Sequence, residues 1–172
     1  MARKLGGYEG PLSRLTFSRD GRLLAGVATN EILIWAVASG QVEKKIQTRN
    51  EVTAIAFSPD GQLLATGASD RTISIWHLGS GVAQVSFRKH ESSINALAFS
   101  HDGQLLASGG DDRTIVLWDV AAGKSKRTFK GHDQTVTSLA FSADGQLLAS
   151  GSGNASVVIW EVATGKLSRV LR

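Results

Sequence analysis

The apolar positions of this chain fall in short runs, not in the long amphipathic stretches that would make helices. Val136 to Phe141 (VTSLAF) typify a first strand, QLLAS or QLLAT a second, TISIW or TIVLW a third, and segments such as Lys124 to Phe129 a fourth. A Ser-x-Asp-Gly stretch joins the first strand to the second. In Ser58-Pro59-Asp60-Gly61 the proline presets φ for the second position of a type I turn, the aspartate tolerates the third, and the glycine takes the left-handed position that follows. The pattern predicts an all-β chain of hairpin-linked strands. LLAS and VTSLAF are apolar or small on both faces, without the clean alternation of a half-exposed sheet, so each sheet needs cover on two sides.

The unit recurs. FS-x-DG begins at Phe17, Phe57, Phe99 and Phe141, and the matching tryptophans are Trp35, Trp76, Trp118 and Trp160. The phenylalanines are 40, 42 and 42 residues apart and the tryptophans 41, 42 and 42, so length varies only between a tryptophan and the next phenylalanine, where a loop absorbs it. With that period and a tryptophan closing the third strand, the chain resembles the WD-repeat β-propeller family over essentially its whole length. The resemblance implies one unit over 1–172, with four blades at about 8–47, 48–89, 90–131 and 132–172.

It also implies a hydrogen-bonded chain of His, Ser or Thr, Asp and Trp within a blade. The third repeat carries the full set, His90, Ser108, Asp112 and Trp118. The fourth keeps His132, Ser150 and Trp160 but has Asn154 for the aspartate; the second keeps Thr66, Asp70 and Trp76 with Thr48 in the histidine position; the first keeps Trp35, with Tyr8, Gly26 and Thr29 elsewhere. Blade one is therefore expected to be the least rigid. His90, Ser108 and Asp112 are also the three residue types of a hydrolase triad. A degraded copy at the same place in other repeats argues for a structural device, since catalysis also needs an exposed nucleophile, an oxyanion hole and a cleft.

Propellers of this family usually close with seven blades, sometimes eight, and four leave one face of blade one and one of blade four bare. The expected remedy is a second copy, giving two times four blades in a closed eight-bladed ring. A fragment of a longer propeller, an independent four-bladed monomer and an engineered assembly module without a natural ligand stay open as alternatives. Residues 1–7 align with the tail of a fourth strand, Leu5 matching Phe129, and either clasp the partner or fray.

The formal charge is +4, which invites a nucleic-acid reading. Fourteen of the 19 Lys and Arg, however, among them Arg3, Lys4, Lys44, Arg127, Arg169 and Arg172, lie mostly just before each repeat's first strand, on the expected outermost strand, where charge guards a sheet edge, and no aromatics are interleaved to stack bases. With 42% apolar and 20% charged residues the chain has the composition of a globular domain. It has no cysteine, so a disulfide framework and a thiolate metal site are excluded and a cytoplasmic location fits. No run approaches the ~18 apolar residues of a membrane span, and the Asn154-Ala155-Ser156 sequon is expected to be idle.

Other apparent sites reduce to turn chemistry. Gly123-Lys124-Ser125 ends like a P-loop but has Trp118 at the required upstream glycine; Gly151-Ser152-Gly153 begins like a dinucleotide fingerprint but continues to Ser156. The spacing of His77, His90, His101 and His132 has no metal signature, and no cofactor is expected. The frame residues of repeats three and four agree while GDDRTI faces SGNASV in the turn, which points to loops as the binding surface. The candidate partner contacts are Asn50, Glu51, Arg71, Ser92, Ser93, Asp111, Arg113, Gln134 and Thr135, for protein or peptide partners, as the family resemblance implies. Asp111 has no role in the hydrogen-bonded chain and reads first as a solvated turn residue.

Overall fold

The computed structural model describes residues 5–8 and 10–171. Arg3, Lys4 and Arg172 lie outside the described residues, as does most of the 1–7 segment. Among the described residues sixteen strands form four antiparallel four-stranded sheets, each in simple chain order. Blade one holds β1 (Arg14–Phe17), β2 (Leu23–Ala28), β3 (Glu31–Ala36) and β4 (Gln41–Gln47). Blade two holds β5 (Val52–Phe57), β6 (Leu63–Ala68), β7 (Thr72–His77) and β8 (Ala83–Arg88). Blade three holds β9 (Ile94–Phe99), β10 (Leu105–Gly110), β11 (Thr114–Asp119) and β12 (Lys124–Lys130). Blade four holds β13 (Val136–Phe141), β14 (Leu147–Ser152), β15 (Val157–Glu161) and β16 (Leu167–Leu171).

The sheets stack face to face in chain order, and their first strands gather side by side, β1 against β5, β5 against β9, β9 against β13. Arg14, Thr53, Asn95 and Thr137 thus share one cleft, and β4, β8, β12 and β16 become the outer edges. Each seam is filled from both sheets. Ile32, Ile34 and Ile46 meet Val52, Phe57 and Leu64; Ile73, Ile75 and Phe87 meet Ile94, Leu106 and Trp118; Ile115, Leu117 and Phe129 meet Val136, Leu148 and Trp160. Each such side chain contributes ~1.5–3 kcal/mol by leaving water. Among the described residues no apolar cluster joins blade four to blade one.

One expectation needs correction. The outer face of blade one is not bare throughout: Leu24, Ala28, Leu33 and Trp35 are buried beneath Leu5, Tyr8, Val37 and Val42. Residues 5–8 therefore fold back on their own blade, neither reaching out nor fraying. They cover only part of the face, and Leu15 and Phe17 stay 60% exposed.

The four Ser-x-Asp-Gly turns are built alike. In the second, Ser58 Oγ donates to Asp60 Oδ1 at 2.5 Å and accepts the Leu63 N–H at 2.9 Å, while the Gln62 N–H reaches the same carboxylate at 3.0 Å. Gly61 sits at φ +69° with its N–H on Ser58 O. The serine hydroxyl first, and then the backbone N–H two residues on, hold the carboxyls of Asp20, Asp60, Asp102 and Asp144 below the ordinary value of 3.8. A carboxyl depressed in the folded state adds stability that is present above its unfolded value and is lost as pH falls through the lower folded value. Thermal melts between pH 6 and pH 2 are therefore expected to fall steeply only below about pH 4, and Asp60→Ala to make that decline shallower.

Candidate functional site

The third blade brings His90, Ser108, Asp112 and Trp118 together. β10 and β11 pair with Leu106 opposite Trp118 and Ser108 opposite Val116, which lays the indole across the sheet onto the serine. Trp118 donates its indole N–H to Ser108 Oγ at 2.8 Å, His90 Nε2 meets the same oxygen at 2.7 Å, and His90 Nδ1 meets Asp112 Oδ2 at 2.8 Å. With the histidine proton on Nδ1 every group is satisfied: indole to serine, serine to Nε2, Nδ1–H to carboxylate. Asp112 Oδ2 also accepts the Glu91 N–H at 2.9 Å, and Oδ1 closes the turn by accepting Thr114 N and Oγ1 at 3.0 and 2.8 Å. Burial pushes this carboxyl up, but the Glu91 and Thr114 amides and His90 more than offset it and hold it low. Ser108 is fully buried at 0% exposure, so no substrate reaches it as a nucleophile.

Blade four repeats the inner half. Trp160 donates to Ser150 Oγ at 2.7 Å and His132 Nε2 lies 2.6 Å from it. Asn154 Oδ1 closes the turn on Ser156 N and Oγ at 3.2 and 2.6 Å, just as Asp112 Oδ1 does on Thr114. Its other branch is an amide nitrogen, which cannot accept, and His132 Nδ1 is left buried without a protein partner. Burial lowers the His132 pKa, opposed in part by Asp133.

Blade two lacks the ring altogether. Trp76 donates to Thr66 Oγ1 at 2.9 Å, but Thr48, in the histidine position, is too short to reach it, and its hydroxyl is buried unpartnered. A cavity of about 410 Å³ lies among Thr48, Thr66, Asp70 and Trp76. Asp70 is held by Thr72 and by Asn50 Nδ2 at 2.9 Å. In blade one the Trp35 N–H goes to the Gly6 carbonyl at 2.8 Å, and Tyr8 packs on the apolar face. Gly26 leaves room there for the Trp35 ring and Leu15.

The turn residues gather at one end of the blades. Arg71 and Arg113 are exposed at φ +76° and +64°, a left-handed backbone that costs ~1 kcal/mol in any residue but glycine. Ala155 holds the same turn position at φ +60°, while blade one turns more tightly, with Thr29 in the aspartate slot at φ +30°. Glu51 and Gln134 point to solvent, whereas Ser92, Ser93 and Thr135 are half-buried. Asp111 is more engaged than a solvated turn residue: its Oδ1 accepts Asn95 Nδ2 at 2.6 Å and Thr135 Oγ1 at 3.1 Å, tying blade three to blade four. Asn50 likewise is committed to Asp70. Among the described residues no group of three or more His, Asp or Glu could hold a metal, and no helix is long and apolar enough to cross a membrane.

Two residues that sequence reasoning treated as edge charge bridge blades instead. Lys44 Nζ donates to the carbonyls of Leu78 and Gly79 on blade two. Arg127 Nη1 and Nη2 donate to Thr164 O and Ala163 O on blade four at 2.6 and 2.7 Å. Their equal distance from the preceding tryptophan was the available signal.

Ser108→Ala orphans two buried partners and is expected to cost ~1–3 kcal/mol, a loss of about 2–10 °C in Tm for a domain of this size. Asn154→Asp supplies the acceptor that His132 Nδ1 lacks and is expected to raise Tm by a few degrees at pH 7 and to raise the His132 pKa, read by NMR titration.

The sequence model of the family described as the echinoderm microtubule-associated protein second beta-propeller matches residues 14–170. Among curated relatives, eukaryotic translation initiation factor 3 subunit I of Aspergillus niger is 35% identical over 82 residues, 45% of this chain and 23% of that protein. The periodic tryptophan protein 2 homologs of Caenorhabditis elegans and Dictyostelium discoideum are each 34% identical, over 68 and 65 residues, 39% and 37% of this chain and 8% and 7% of those proteins. The chain thus spans less than a quarter of the length of these relatives. Four tryptophan-closed sheets, the hydrogen-bonded set of blade three and a family match over nearly the whole length agree: this chain belongs to the WD-repeat β-propeller family.

Proposed function

We propose that the chain is a non-catalytic protein-interaction scaffold, whose four blades close into an eight-bladed ring with a second copy and present their turn loops to protein or peptide partners. The observation that carries this reading is the bare face of blade four. Leu147, Val157 and Leu171 are 39%, 37% and 46% exposed, while Ile115 and Phe129, which hold the places of Val157 and Leu171 one blade earlier, are 0% and 2% exposed under blade four. Blade one offers the complement. Leu12, Leu15 and Phe17 are 37%, 60% and 60% exposed, and their counterparts Val136, Leu139 and Phe141 pack on blade three. Apolar faces of this kind mark contact surfaces.

The upper loops supply the second surface. Arg71 and Arg113 keep their long cationic side chains in solvent at a conformational cost, which favours a role in contact over one in folding. One matched relative is by name a subunit of an initiation factor, which supports a place in a protein complex. A reducing compartment such as the cytoplasm suits a chain without cysteine. A second reading, that these blades are part of a longer propeller, draws on Leu5, which takes the place of Phe129 in the repeat and covers blade one as a preceding blade would.

Sedimentation equilibrium over a wide concentration range is expected to give the mass of two chains; a stable mass of one chain at every concentration rejects ring closure. In a pull-down, Arg113→Glu is expected to lose partners held by the upper face while leaving the oligomeric mass unchanged.

A further inference from the structure

Every seam inside the chain uses the same device at its outer edge. The side chains of Lys44, Val85 and Arg127 occupy one register position on the fourth strands, opposite Ile34, Ile75 and Leu117. Each lies on the glycine that closes the next blade's turn between third and fourth strands: Lys44 on Gly81, Val85 on Gly123, Arg127 on Gly165. In the first and third seams the side chain is cationic and donates to two carbonyls of that turn, three and two residues before the glycine for Lys44 and two and one before it for Arg127. Arg169 holds the same register position in blade four, opposite Ile159. It is exposed, and no described residue accepts a hydrogen bond from it.

Blade one carries the other half of the device. Gly40 closes its turn at φ +74°, in line with +73°, +65° and +75° at Gly81, Gly123 and Gly165, and Ala38 and Ser39 stand before it as Ala163 and Thr164 stand before Gly165. The Gly40 end of this turn is already covered, while Ala38 and Ser39 stay exposed. The Gly6 N–H donates to Gly40 O at 3.0 Å, the Gly6 carbonyl takes the Trp35 indole, and Leu5 packs over the cluster of Leu24, Leu33 and Trp35. In the third seam that packing belongs to Phe129, whose ring meets Trp160 edge-on with centroids 5.5 Å apart. The blade-four counterpart of Phe129 is the exposed Leu171, opposite Val157 as Phe129 is opposite Ile115.

We propose that residues 5–8 are a displaceable cover over the self-assembly surface, and that a second copy docks by exchanging them for its own Arg169 and Leu171, with Arg169 clamping Ala38 O and Ser39 O. The inference rests on the ring-closing reading and adds its chemistry: one copy's outer strand and one internal segment compete for a single face. The competition sets the association constant, because closure must break the contacts of Leu5 and Gly6 before it gains those of Leu171 and Arg169.

The test compares sedimentation velocity of the wild-type chain with Arg169→Met, Arg169→Lys and Leu5→Ser, each checked for folding by circular dichroism. Arg169→Met keeps the stem but removes the donors and is expected to weaken self-association about tenfold. Arg169→Lys is expected to retain most of it, since Lys44 serves the first seam. Leu5→Ser weakens the competitor and is expected to tighten association about tenfold. Because Leu5→Ser could instead loosen blade one, hydrogen exchange on the wild-type chain provides an independent reading: as concentration rises, the Gly6 amide is expected to lose protection while those of β16 gain it. If the wild-type chain associates but Arg169→Met is unaffected, or Gly6 stays protected, the exchange is wrong and ring closure stands. If neither the wild-type chain nor Leu5→Ser associates at any concentration, ring closure itself is wrong. A wild-type chain that stays single while Leu5→Ser associates supports the cover directly.

Discussion

A sheet that is apolar on both faces is unstable until both are covered, and this chain is made of four such sheets. Everything else in the structure follows from that constraint. Blades two and three are covered by their neighbours on either side, and Leu64, Ile73, Ile75, Ile94, Leu106, Ile115 and Trp118 at those seams are almost fully buried. Blades one and four each have one neighbour, and what happens on their free faces distinguishes the two ends. Blade one recruits residues 5–8; blade four recruits nothing among the described residues and leaves the side chains of β16 in solvent.

Polar interactions give the stack its orientation. The indole, serine, histidine and carboxylate of blade three fix the loop before the first strand to the second strand, the following turn and the third strand at once. Burial makes this set valuable because any missing member leaves a partner unsatisfied in a medium that cannot replace it. The other blades show three ways of living without the complete set. Blade four keeps the ring and gives up its carboxylate, blade two gives up the ring and retains a cavity, and blade one replaces the serine with a backbone carbonyl. Asp111 and Arg127 add ties between blades three and four at opposite ends of the seam, so the seam with the most complete polar frame is also the one bound most directly.

Catalytic residue types can therefore occur together with no catalysis in view. His90, Ser108 and Asp112 have the identities and hydrogen-bond order of a nucleophilic triad, but the hydroxyl is sealed within a sheet and its lone pair is occupied by an indole N–H. The exposed chemistry lies elsewhere, in arginines held on strained turns and in apolar faces at the two ends of the stack.

The sequence by itself determined the strands, their grouping by four and the all-β class, because a period near 42, alternating turns and two-sided apolar runs admit few other arrangements. It also located Ser108 and Trp118, whose spacing across one hairpin is set by strand pairing alone. Tertiary structure decided what depends on a neighbouring blade. Lys44 and Arg127 looked like edge charges because their carbonyl partners lie 34 to 37 residues away and carry no side-chain signature. Asp111 looked solvated because Asn95 and Thr135 reach it only when first strands align. The fate of residues 5–8 was equally hidden: a short segment without a strand of its own takes whichever apolar face is free, and only the stacked blades define that face.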